Sequence, residues 1–384
     1  MDFTLDKEQI QLQEAIVKFA RKELNIGIED RDKNKNFFYE GWKKCSQFGL
    51  FRLFTPEEYG GLDIDPLTLM IAMEALGYAC RDNGLVFAVN NHIFSCTVPI
   101  IKFGNASQKK KYLTQLASGK FIGAHAMTEA DSGSDSFAMK TTAVLSGDKY
   151  ILNGSKIFIT NGSLADVLIV FAKTSQDKEL KNVSAFIVEK GFTGFSVGKN
   201  MDKMGLRTAP MSEIVFDQCE VPKENLLSGV GTGFIIFNTA VEWERSYIFA
   251  SHLGAMKRQL EECINHVKER KQFNRPIGNF QAISNRIADM KMNIELARLM
   301  LYKIGWLKKT KKSSFLESSI AKLFISEKYV QSNLDAVQMH GAFGYMTESG
   351  IERELRDSVA STIYAGTSEM QRNIISRWSG LEPY

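Results

Sequence analysis

The chain has 384 residues, of which 44% are hydrophobic, and its 48 basic and 44 acidic residues leave a formal net charge of +4. A chain of this length can bury a large core and divide into two or three domains. Because basic and acidic residues are interspersed, the sequence does not concentrate Lys and Arg on one face as a nucleic-acid surface requires. We therefore expect no nucleic-acid partner.

The five cysteines and five histidines do not have metal-site spacing. No C-x-x-C, H-x-x-x-H or H-E-x-x-H pattern occurs, and an odd number of widely spaced cysteines is typical of free thiols in a reducing compartment. The acidic segment Met1–Asp6 is unlike a targeting peptide, and we find no apolar run of the roughly 18 residues that a membrane span needs. These features predict a cytoplasmic protein with no metal ion and no membrane contact.

Residues 1–122 are predicted to form a helical N-terminal domain. Asp6 has the character of a helix cap, and apolar residues follow it at helical spacing. Further helices are predicted around 66–80, 84–103 and 107–118.

Residues 123–231 are predicted to form a β domain, because the apolar residues now alternate. Asn153-Gly154 has the composition of a tight turn between two strands. So many short strands favour a small barrel or sandwich. The predicted strands cover 141–145, 150–152, 156–160, 167–171 and 184–188.

Residues 232–384 return to helical spacing and complete an α+β chain of three domains. The glycine-rich Gly229–Gly233 follows a loop rather than a strand, so we interpret it as a flexible connection and not as a phosphate site. The basic run Lys308–Lys312 is interpreted as a solvated connection between helices. The predicted helices cover 233–270, 281–306, 314–340, 350–360 and a last helix from Ser368.

Six short motifs lie in a fixed order over nearly the whole chain. They read T-E-A-D-S-G-S-D from Thr128, N-G-S-K-I-F-I-T-N-G from Asn153, K-M-G-L-R from Lys203, R-K-Q-F-N from Arg270, Q-M-H-G-A-F-G-Y from Gln338 and Y-A-G-T-S-E-M-Q-R from Tyr364. Together they resemble the motifs of the acyl-CoA dehydrogenase family of flavoproteins.

The resemblance implies a helical N-terminal domain, a β domain and a C-terminal four-helix bundle, with FAD held between the last two. It also implies a homotetramer in which a neighbouring subunit completes each flavin site. The positions that match cofactor-binding residues of one subunit are Met127, Thr128, Ser134, Phe158, Thr160, Thr367 and Glu369. Those that match residues reaching the cofactor of an adjacent subunit are Arg270, Phe273, Gln281, Gln338 and Gly341.

The catalytic base is the main departure from the common family pattern. Removal of a proton α to a thioester carbonyl needs a carboxylate, and most members carry it directly after the motif tyrosine, where this chain has Ala365. Isovaleryl-type members carry it before an arginine in a C-terminal helix, which here points to Glu244. Two carboxylates at one carbon atom would repel each other, so an alanine and a distant glutamate form a consistent pair. Without the resemblance, Glu244 would be interpreted as a solvent-facing helical glutamate.

The same resemblance implies roles for the residues beside the base. Glu242 is predicted to hydrogen-bond the pantetheine arm, and Arg245 a polar or phosphate group of the substrate. The backbone N–H of Ala365 is predicted to polarise the thioester carbonyl. Burial should raise the pKa of Glu244 toward the working pH.

Two further departures bear on the substrate. Asn274 stands where the family usually has glycine, near the diphosphate. The segment Thr208–Glu213 resembles relatives from nonribosomal-peptide and polyketide pathways, which oxidise prolyl or acyl groups on carrier proteins.

The sequence therefore predicts an FAD-dependent dehydrogenase that introduces a Cα–Cβ double bond into a short, branched or cyclic acyl thioester, on a carrier protein or on CoA. The electron acceptor would be an electron-transfer flavoprotein, or oxygen if the protein is an oxidase. A non-catalytic flavin-bearing or nucleic-acid-binding relative is the remote alternative, which the retained Glu244 and the dispersed charge disfavour.

Overall fold

The first third of the chain is helical, as its apolar spacing predicts. The structure is a computed structural model that describes residues 4–175 and 182–382. The predicted domain ends at Met1 and Tyr384 lie outside the described residues. The helices of the first third are α1 (Lys7–Glu23), α2 (Ile28–Asn34), α3 (Tyr39–Phe48), α4 (Pro66–Ala79), α5 (Asn83–Asn90), α6 (Val98–Phe103) and α7 (Ala106–Ala117).

Helix α1 begins where the sequence places a cap. The Asp6 carboxylate accepts a hydrogen bond from the Gln9 backbone N–H at 2.8 Å, and the Gln9 side chain accepts one from the Asp6 N–H at 3.1 Å. This reciprocal capping box satisfies two backbone donors that a helix start otherwise leaves free. The predicted start of the first helix is confirmed.

A π-helical segment, Asn91–Thr97, joins α5 to α6 into one helical run. The run Asn83–Phe103 is long and apolar enough to span a membrane by length and composition, so the expectation of no such segment was wrong. Of its apolar window, 89% is buried inside the protein. Apolar residues all around a helix are also typical of a core helix, which is the position of this run here.

The middle of the chain forms one eight-stranded mixed sheet with the order β6-β7-β3-β2-β4-β5-β8, in which β1 pairs with β4. Both faces of β4 are buried: Val167 and Ile169 pack toward α7, while Leu168 and Val170 pack on the opposite side. Burial on both faces explains the continuous apolar run of this strand. The strands are β1 (Gly123–Ala126), β2 (Thr142–Ser146), β3 (Lys149–Thr160), β4 (Val167–Lys173), β5 (Val183–Glu189), β6 (Phe195–Asn200), β7 (Met211–Pro222) and β8 (Leu226–Leu227).

The predicted turn at Asn153-Gly154 was wrong, because β3 runs straight through it. The pairing of β3 with β7 shifts register between Leu152 and Gly154, which marks an irregularity in a continuous strand. Gly154 has a φ of 142°, and a Cβ there would lie 2.6 Å from the Thr141 hydroxyl oxygen. Glycine inside a strand often marks such a kink or a close approach.

The last part of the chain is a bundle of long helices around α8. The predicted helices are confirmed to within a few residues, and a two-stranded hairpin separates the first two. The elements are α8 (Gly233–Glu269), β9 (Lys271–Gln272), β10 (Arg275–Pro276), α9 (Gln281–Lys309), α10 (Phe315–His340), α11 (Ala342–Tyr345), α12 (Ile351–Val359) and α13 (Ser368–Trp378).

Two glycines bring α8 against α4 of the N-terminal part. A Cβ at Gly77 would lie 1.9 Å from the Ser251 carbonyl oxygen, and a Cβ at Gly254 would lie 2.0 Å from the Glu74 carbonyl oxygen. No real Cβ tolerates such distances, so only glycine permits this helix crossing. The crossing places α8 between the N-terminal helices and the rest of the bundle.

The segment Thr208–Glu213 contributes a contact between domains. The Thr208 hydroxyl donates to the Asp82 carboxylate. Asp82 caps α5 by accepting from the Leu85 N–H at 3.0 Å, and it also pairs with Arg31 at 2.9 Å. This variant of the family motif therefore fixes the start of the helical run that contains the π-helical segment.

We predict that Gly254→Ala lowers the free energy of unfolding by about 1–3 kcal/mol, because the added methyl group forces α8 away from α4. Chemical denaturation of the flavin-bound protein measures this value. Helix propensity alone would give a gain of about 1 kcal/mol, so a more stable variant contradicts the packing argument. Gly77→Ala should have an effect of the same sign.

Candidate active site

Glu244 lies in the first half of α8 and is buried, with 9% of the residue exposed. The neighbouring rings of Trp243 and Tyr247 stack with centroids 5.0 Å apart, and Phe54 lies 4.6 Å from the Trp243 ring. One carboxylate oxygen of Glu244 has no hydrogen-bond partner among the described residues. The interpretation as a solvent-facing glutamate does not hold.

Burial raises the pKa of Glu244 to about 7, against the opposing effects of a hydrogen bond from Ser95 and of the Arg245 charge. The charged group nearest in sequence is Arg245. Tyr364 approaches from the turn before α13, where burial and then the Glu244 charge raise the pKa of its phenol. A carboxyl group with a pKa near neutrality can accept a proton and release it again at physiological pH.

Ser95 is a site residue that the sequence did not indicate. It lies fully buried in the π-helical segment. Its hydroxyl accepts a hydrogen bond from the Asn91 side-chain amide at 3.2 Å and lies close enough to the Glu244 carboxyl group to lower its pKa. Widened π-helical turns occur often at functional sites. Apolar spacing predicts 84–103 as one ordinary helix and carries no signal for this widening.

Arg245 holds the turn that contains Ala365. Its Nε donates to the Ala365 carbonyl oxygen at 2.8 Å, and the Gln371 side-chain amide donates to the Gly366 carbonyl oxygen at 3.0 Å. Ala365 has a φ of 54°, in the left-handed region. Such a backbone costs on the order of 1 kcal/mol or more for a non-glycine residue and persists only where its surroundings enforce it. The Arg245 Nε thus holds the turn, and the predicted contact of Arg245 with a substrate group remains a prediction.

Tyr364 anchors the same turn from its other side. Its hydroxyl is hydrogen-bonded to His252 Nε2, and its ring lies 4.8 Å from the Phe87 ring. Burial lowers the pKa of His252 to about 3, so this histidine is neutral at physiological pH. Together with Arg245, the pair fixes where the backbone of Ala365 lies relative to α8.

Glu242 does not have a free carboxylate. Its Oε1 accepts from Lys308 Nζ at 2.6 Å and from the Ser314 hydroxyl. The predicted contact of Glu242 with a pantetheine arm remains a prediction. The observed contacts connect α8 to the ends of α9 and α10.

The first group of predicted cofactor residues lies on and near β1 and β3. A buried ion pair fixes their backbone: Lys156 Nζ donates to Glu129 Oε1 at 2.8 Å and to the Met127 carbonyl oxygen at 3.0 Å. Thr128 accepts from the Ile157 N–H at 2.8 Å. Met127 and Thr160 are buried and Ser134 is exposed.

Phe158 is the residue in this group that most needs an explanation. It is 57% exposed and has a φ of 60°. A bulky residue rarely adopts the left-handed region. An exposed ring also does not gain the free energy that burial of its apolar surface would give. An aromatic surface held outward in this way fits a planar ring system such as the isoalloxazine of FAD.

The start of α13 is suited to an anion. Thr367 caps the helix by accepting from the Met370 N–H at 3.3 Å, and the buried Ser368 hydroxyl has no partner among the described residues. Backbone N–H groups at a helix start bind phosphate groups. Glu369 follows in the first turn and is exposed.

The second group of predicted cofactor residues lies elsewhere. Arg270 directly follows α8, 26 residues beyond Glu244, which corresponds to about 39 Å along a helix. Phe273 is 88% exposed. One copy of the chain does not bring this exposed group to Glu244. Its members are Arg270, Phe273, Gln281, Gln338 and Gly341.

Three family models match successive parts of the chain. They describe the N-terminal domain (residues 6–120), the middle domain (124–219) and the C-terminal domain (231–380) of acyl-CoA dehydrogenases. The chain belongs to the acyl-CoA dehydrogenase family. The predicted family, three-part fold, FAD cofactor and function as an acyl-thioester oxidoreductase are thereby confirmed.

Individual relatives cover almost the whole chain. An L-prolyl-[peptidyl-carrier protein] dehydrogenase of Pseudomonas fluorescens is 40% identical over 98% of this chain and 99% of its own length. An acyl-CoA dehydrogenase of Bacillus subtilis is 41% identical over 97% of this chain and 98% of its own length.

Two solved structures have nearly the same backbone. The prolyl acyl carrier protein oxidase AnaB is 44% identical over 98% of this chain and 100% of its own, with a TM-score of 0.97. PigA with FAD and proline is 39% identical over 99% of this chain and 100% of its own, also with a TM-score of 0.97.

We predict that Ser95→Ala raises the pKa of Glu244 further, because the variant lacks the hydroxyl that stabilises the ionised carboxylate. A rise of about 0.5–1 unit lowers the fraction of ionised base at pH 7, so anaerobic reduction of the bound FAD by substrate should slow about two- to five-fold there. Stopped-flow absorbance across pH 6–9 measures the profile. At the alkaline end, where the base is ionised in both proteins, the rates should converge.

Ser95→Thr is the matched control, because it keeps the hydroxyl group and should keep the profile. If Ser95→Ala lowers the rate equally at every pH, the serine does not act through the ionisation of Glu244.

Proposed function

We propose that the chain oxidises the Cα–Cβ bond of a prolyl or small acyl thioester bound to a carrier protein, with Glu244 as the base. The observation that carries the proposal is the buried Glu244 carboxyl group, whose pKa is raised to about 7, on the helix that also holds the Ala365 turn. The similarity to a carrier-protein dehydrogenase and to AnaB supports the carrier-bound substrate. The equal similarity to an acyl-CoA dehydrogenase keeps a CoA thioester as the alternative.

In the proposed reaction, FAD supplies the acceptor for the hydride that leaves Cβ. Glu244 takes the proton from Cα, and at pH 7 a pKa of about 7 keeps about half of this base ionised before substrate binds. One carboxylate oxygen of Glu244 has no hydrogen-bond partner among the described residues. This oxygen can therefore accept the proton without breaking a hydrogen bond to the protein.

The turn at Ala365 would acidify the α-proton. An N–H group aimed at the thioester carbonyl stabilises the negative charge that develops on its oxygen, and we assign this role to Ala365. Arg245 is a positioning residue, since its bond to the Ala365 carbonyl oxygen fixes the peptide. Burial lowers the pKa of Arg245 only to about 10, so the guanidinium group stays charged at neutral pH.

The two groups of cofactor residues suggest an assembly. We propose that Met127, Thr128, Phe158 and Thr160 hold the flavin and that Thr367 and the start of α13 hold its phosphate groups. Arg270 and the exposed group around it would then serve the FAD of a neighbouring copy in a homotetramer, because they lie too far from Glu244 to serve the same site.

The predicted effect of Glu244→Gln is a loss of flavin reduction by at least about 100-fold, because general-base catalysis typically contributes two to four orders of magnitude. Anaerobic bleaching of the flavin absorbance with a prolyl or acyl thioester measures this rate. The yellow colour and the FAD content should be unchanged.

Glu261→Gln, an exposed position further along α8, is the control and should reduce its flavin at the normal rate. If Glu244→Gln bleaches as fast as the unsubstituted protein, the base lies elsewhere.

The same assay decides between the carriers. Carrier-bound prolyl and acyl groups are compared with prolyl-CoA, butyryl-CoA and isovaleryl-CoA at equal concentration. Faster bleaching by a CoA thioester would overturn the carrier-protein proposal. Reoxidation of the reduced flavin by air, with hydrogen peroxide as product, would favour oxygen over an electron-transfer flavoprotein, as the name of AnaB suggests for that relative.

A further inference from the structure

The basic run Lys308–Lys312 is the connection between helices that the sequence predicts, and Lys309, Lys311 and Lys312 are exposed. It joins α9 to α10 and lies against the turn of α8 that carries the base. Lys308 Nζ is 2.6 Å from Glu242 Oε1 and 4.7 Å from the centroid of the Trp243 ring. Both contacts are with residues that immediately precede Glu244 in sequence. The run thus begins at the catalytic turn.

A further lysine from the N-terminal part converges on the same place. Lys102, at the end of α6, lies 5.6 Å from the centroids of both the Phe54 and the Trp243 rings. Burial and the neighbouring charges of Lys109 and Lys311 lower its pKa, opposed by Asp63. These like charges are therefore close enough to repel each other. We call the exposed residues Lys102, Lys309, Lys311 and Lys312 the lysine rim.

Among the described residues, ion pairing accounts for one of the four charges of the lysine rim. Lys309 pairs with Asp65 at 3.4 Å. Lys311 and Lys312, by contrast, have no carboxylate within ion-pair distance anywhere in residues 4–175 and 182–382. Lys311 has a φ of 56°, and the Lys312 N–H donates to the Leu307 carbonyl oxygen at 2.8 Å, so this left-handed residue closes the C-terminus of α9. The repulsion between Lys102 and Lys311 costs free energy, which no carboxylate in the described residues offsets at Lys311.

The lysine rim also has an aromatic neighbour. Trp306 is 39% exposed, and the Lys312 ammonium group lies 5.1 Å from its ring centroid. Aromatic residues such as tryptophan are enriched at the surfaces where proteins associate. Complementary charges on the two partners speed and orient their encounter.

We propose that the lysine rim is the docking surface for an acidic face of the carrier protein, which it orients so that the thioester arm reaches Glu244. The inference rests on the proposed function, since it concerns the partner that presents the substrate. Lysines from α6 and from the connection between α9 and α10 span two domains, an arrangement that fits an extended protein face better than a single phosphate group. Lys308, bonded to Glu242, connects that surface directly to α8.

The test is the double variant Lys311→Glu/Lys312→Glu, which spares the Asp65 pair and the buried Lys308. The matched control is Lys7→Glu/Lys33→Glu, two exposed lysines on α1 and α2 with the same change in net charge. Flavin reduction is measured with three prolyl thioesters: on a peptidyl carrier protein, on CoA and on pantetheine, which lacks both the protein and the phosphate.

We expect kcat/KM for the carrier-bound substrate to fall about 10- to 100-fold at low ionic strength in the rim variant, since steering by complementary charge contributes factors of this size. The loss should shrink in high salt. The values for pantetheine and for the control variant should stay within about two-fold of the unsubstituted enzyme, and CoA should lose much less than the carrier.

Three outcomes overturn the docking proposal. If kcat/KM for the carrier-bound substrate is unchanged in the rim variant, the rim does not dock the carrier protein. If kcat/KM falls equally with the CoA thioester, the rim recognises phosphate alone. If it falls equally with the pantetheine thioester, the lysines act inside the catalytic site. If the unsubstituted enzyme does not oxidise any carrier-bound thioester, the proposed function fails instead. Fluorescence anisotropy with a labelled holo-carrier protein then still decides the docking, because its Kd should rise about 10-fold or more in the rim variant only.

Discussion

The burial of α8 between the N-terminal helices and the bundle is the constraint on which the site depends. The helix has 37 residues, and glycine contacts at α4 bring it close enough to exclude water from its polar side chains. A buried carboxylate must either find partners or bind a proton more tightly. Glu244 binds a proton more tightly, because Ser95 and Arg245 only partly offset the desolvation of its carboxylate. The fold thereby gives the proposed base a pKa near neutrality.

The same burial links Glu244 to the alanine at position 365. Arg245 cannot stay buried without hydrogen-bond acceptors, and its Nε donates to the Ala365 carbonyl oxygen at 2.8 Å. The turn is therefore held beside the helix that carries the base, and Tyr364 already lies within the field of Glu244. A glutamate at position 365 would add a second carboxylate to this water-poor space, where like charges strongly repel. Alanine avoids that cost while it keeps the backbone contact.

The sequence predicted the helices, the buried strands and the family, because apolar periodicity and ordered motifs carry that information. It did not predict the π-helical widening that presents Ser95, since a shift of the hydrogen-bond pattern leaves the apolar spacing almost unchanged. Gly154 led to a wrong prediction, because a glycine after an asparagine favours a turn. In the structure β3 continues through this position, and Thr141 packs where a side chain would be. The role of Lys308–Lys312 depended on a contact with Glu242, 66 residues earlier in the chain, which no local pattern indicates.

The proposed substrate and cofactor residues lie far apart along α8. Glu242 bonds to Lys308, which precedes the lysine rim. Arg270 directly follows the helix, about 39 Å from Glu244 along its axis. A single rigid helix cannot bend Arg270 back to its own base. In the proposed homotetramer, the exposed residues around Arg270 would contact the FAD of another copy of the chain. Docking of a carrier protein at the rim would then leave the far end of α8 free for contacts between copies.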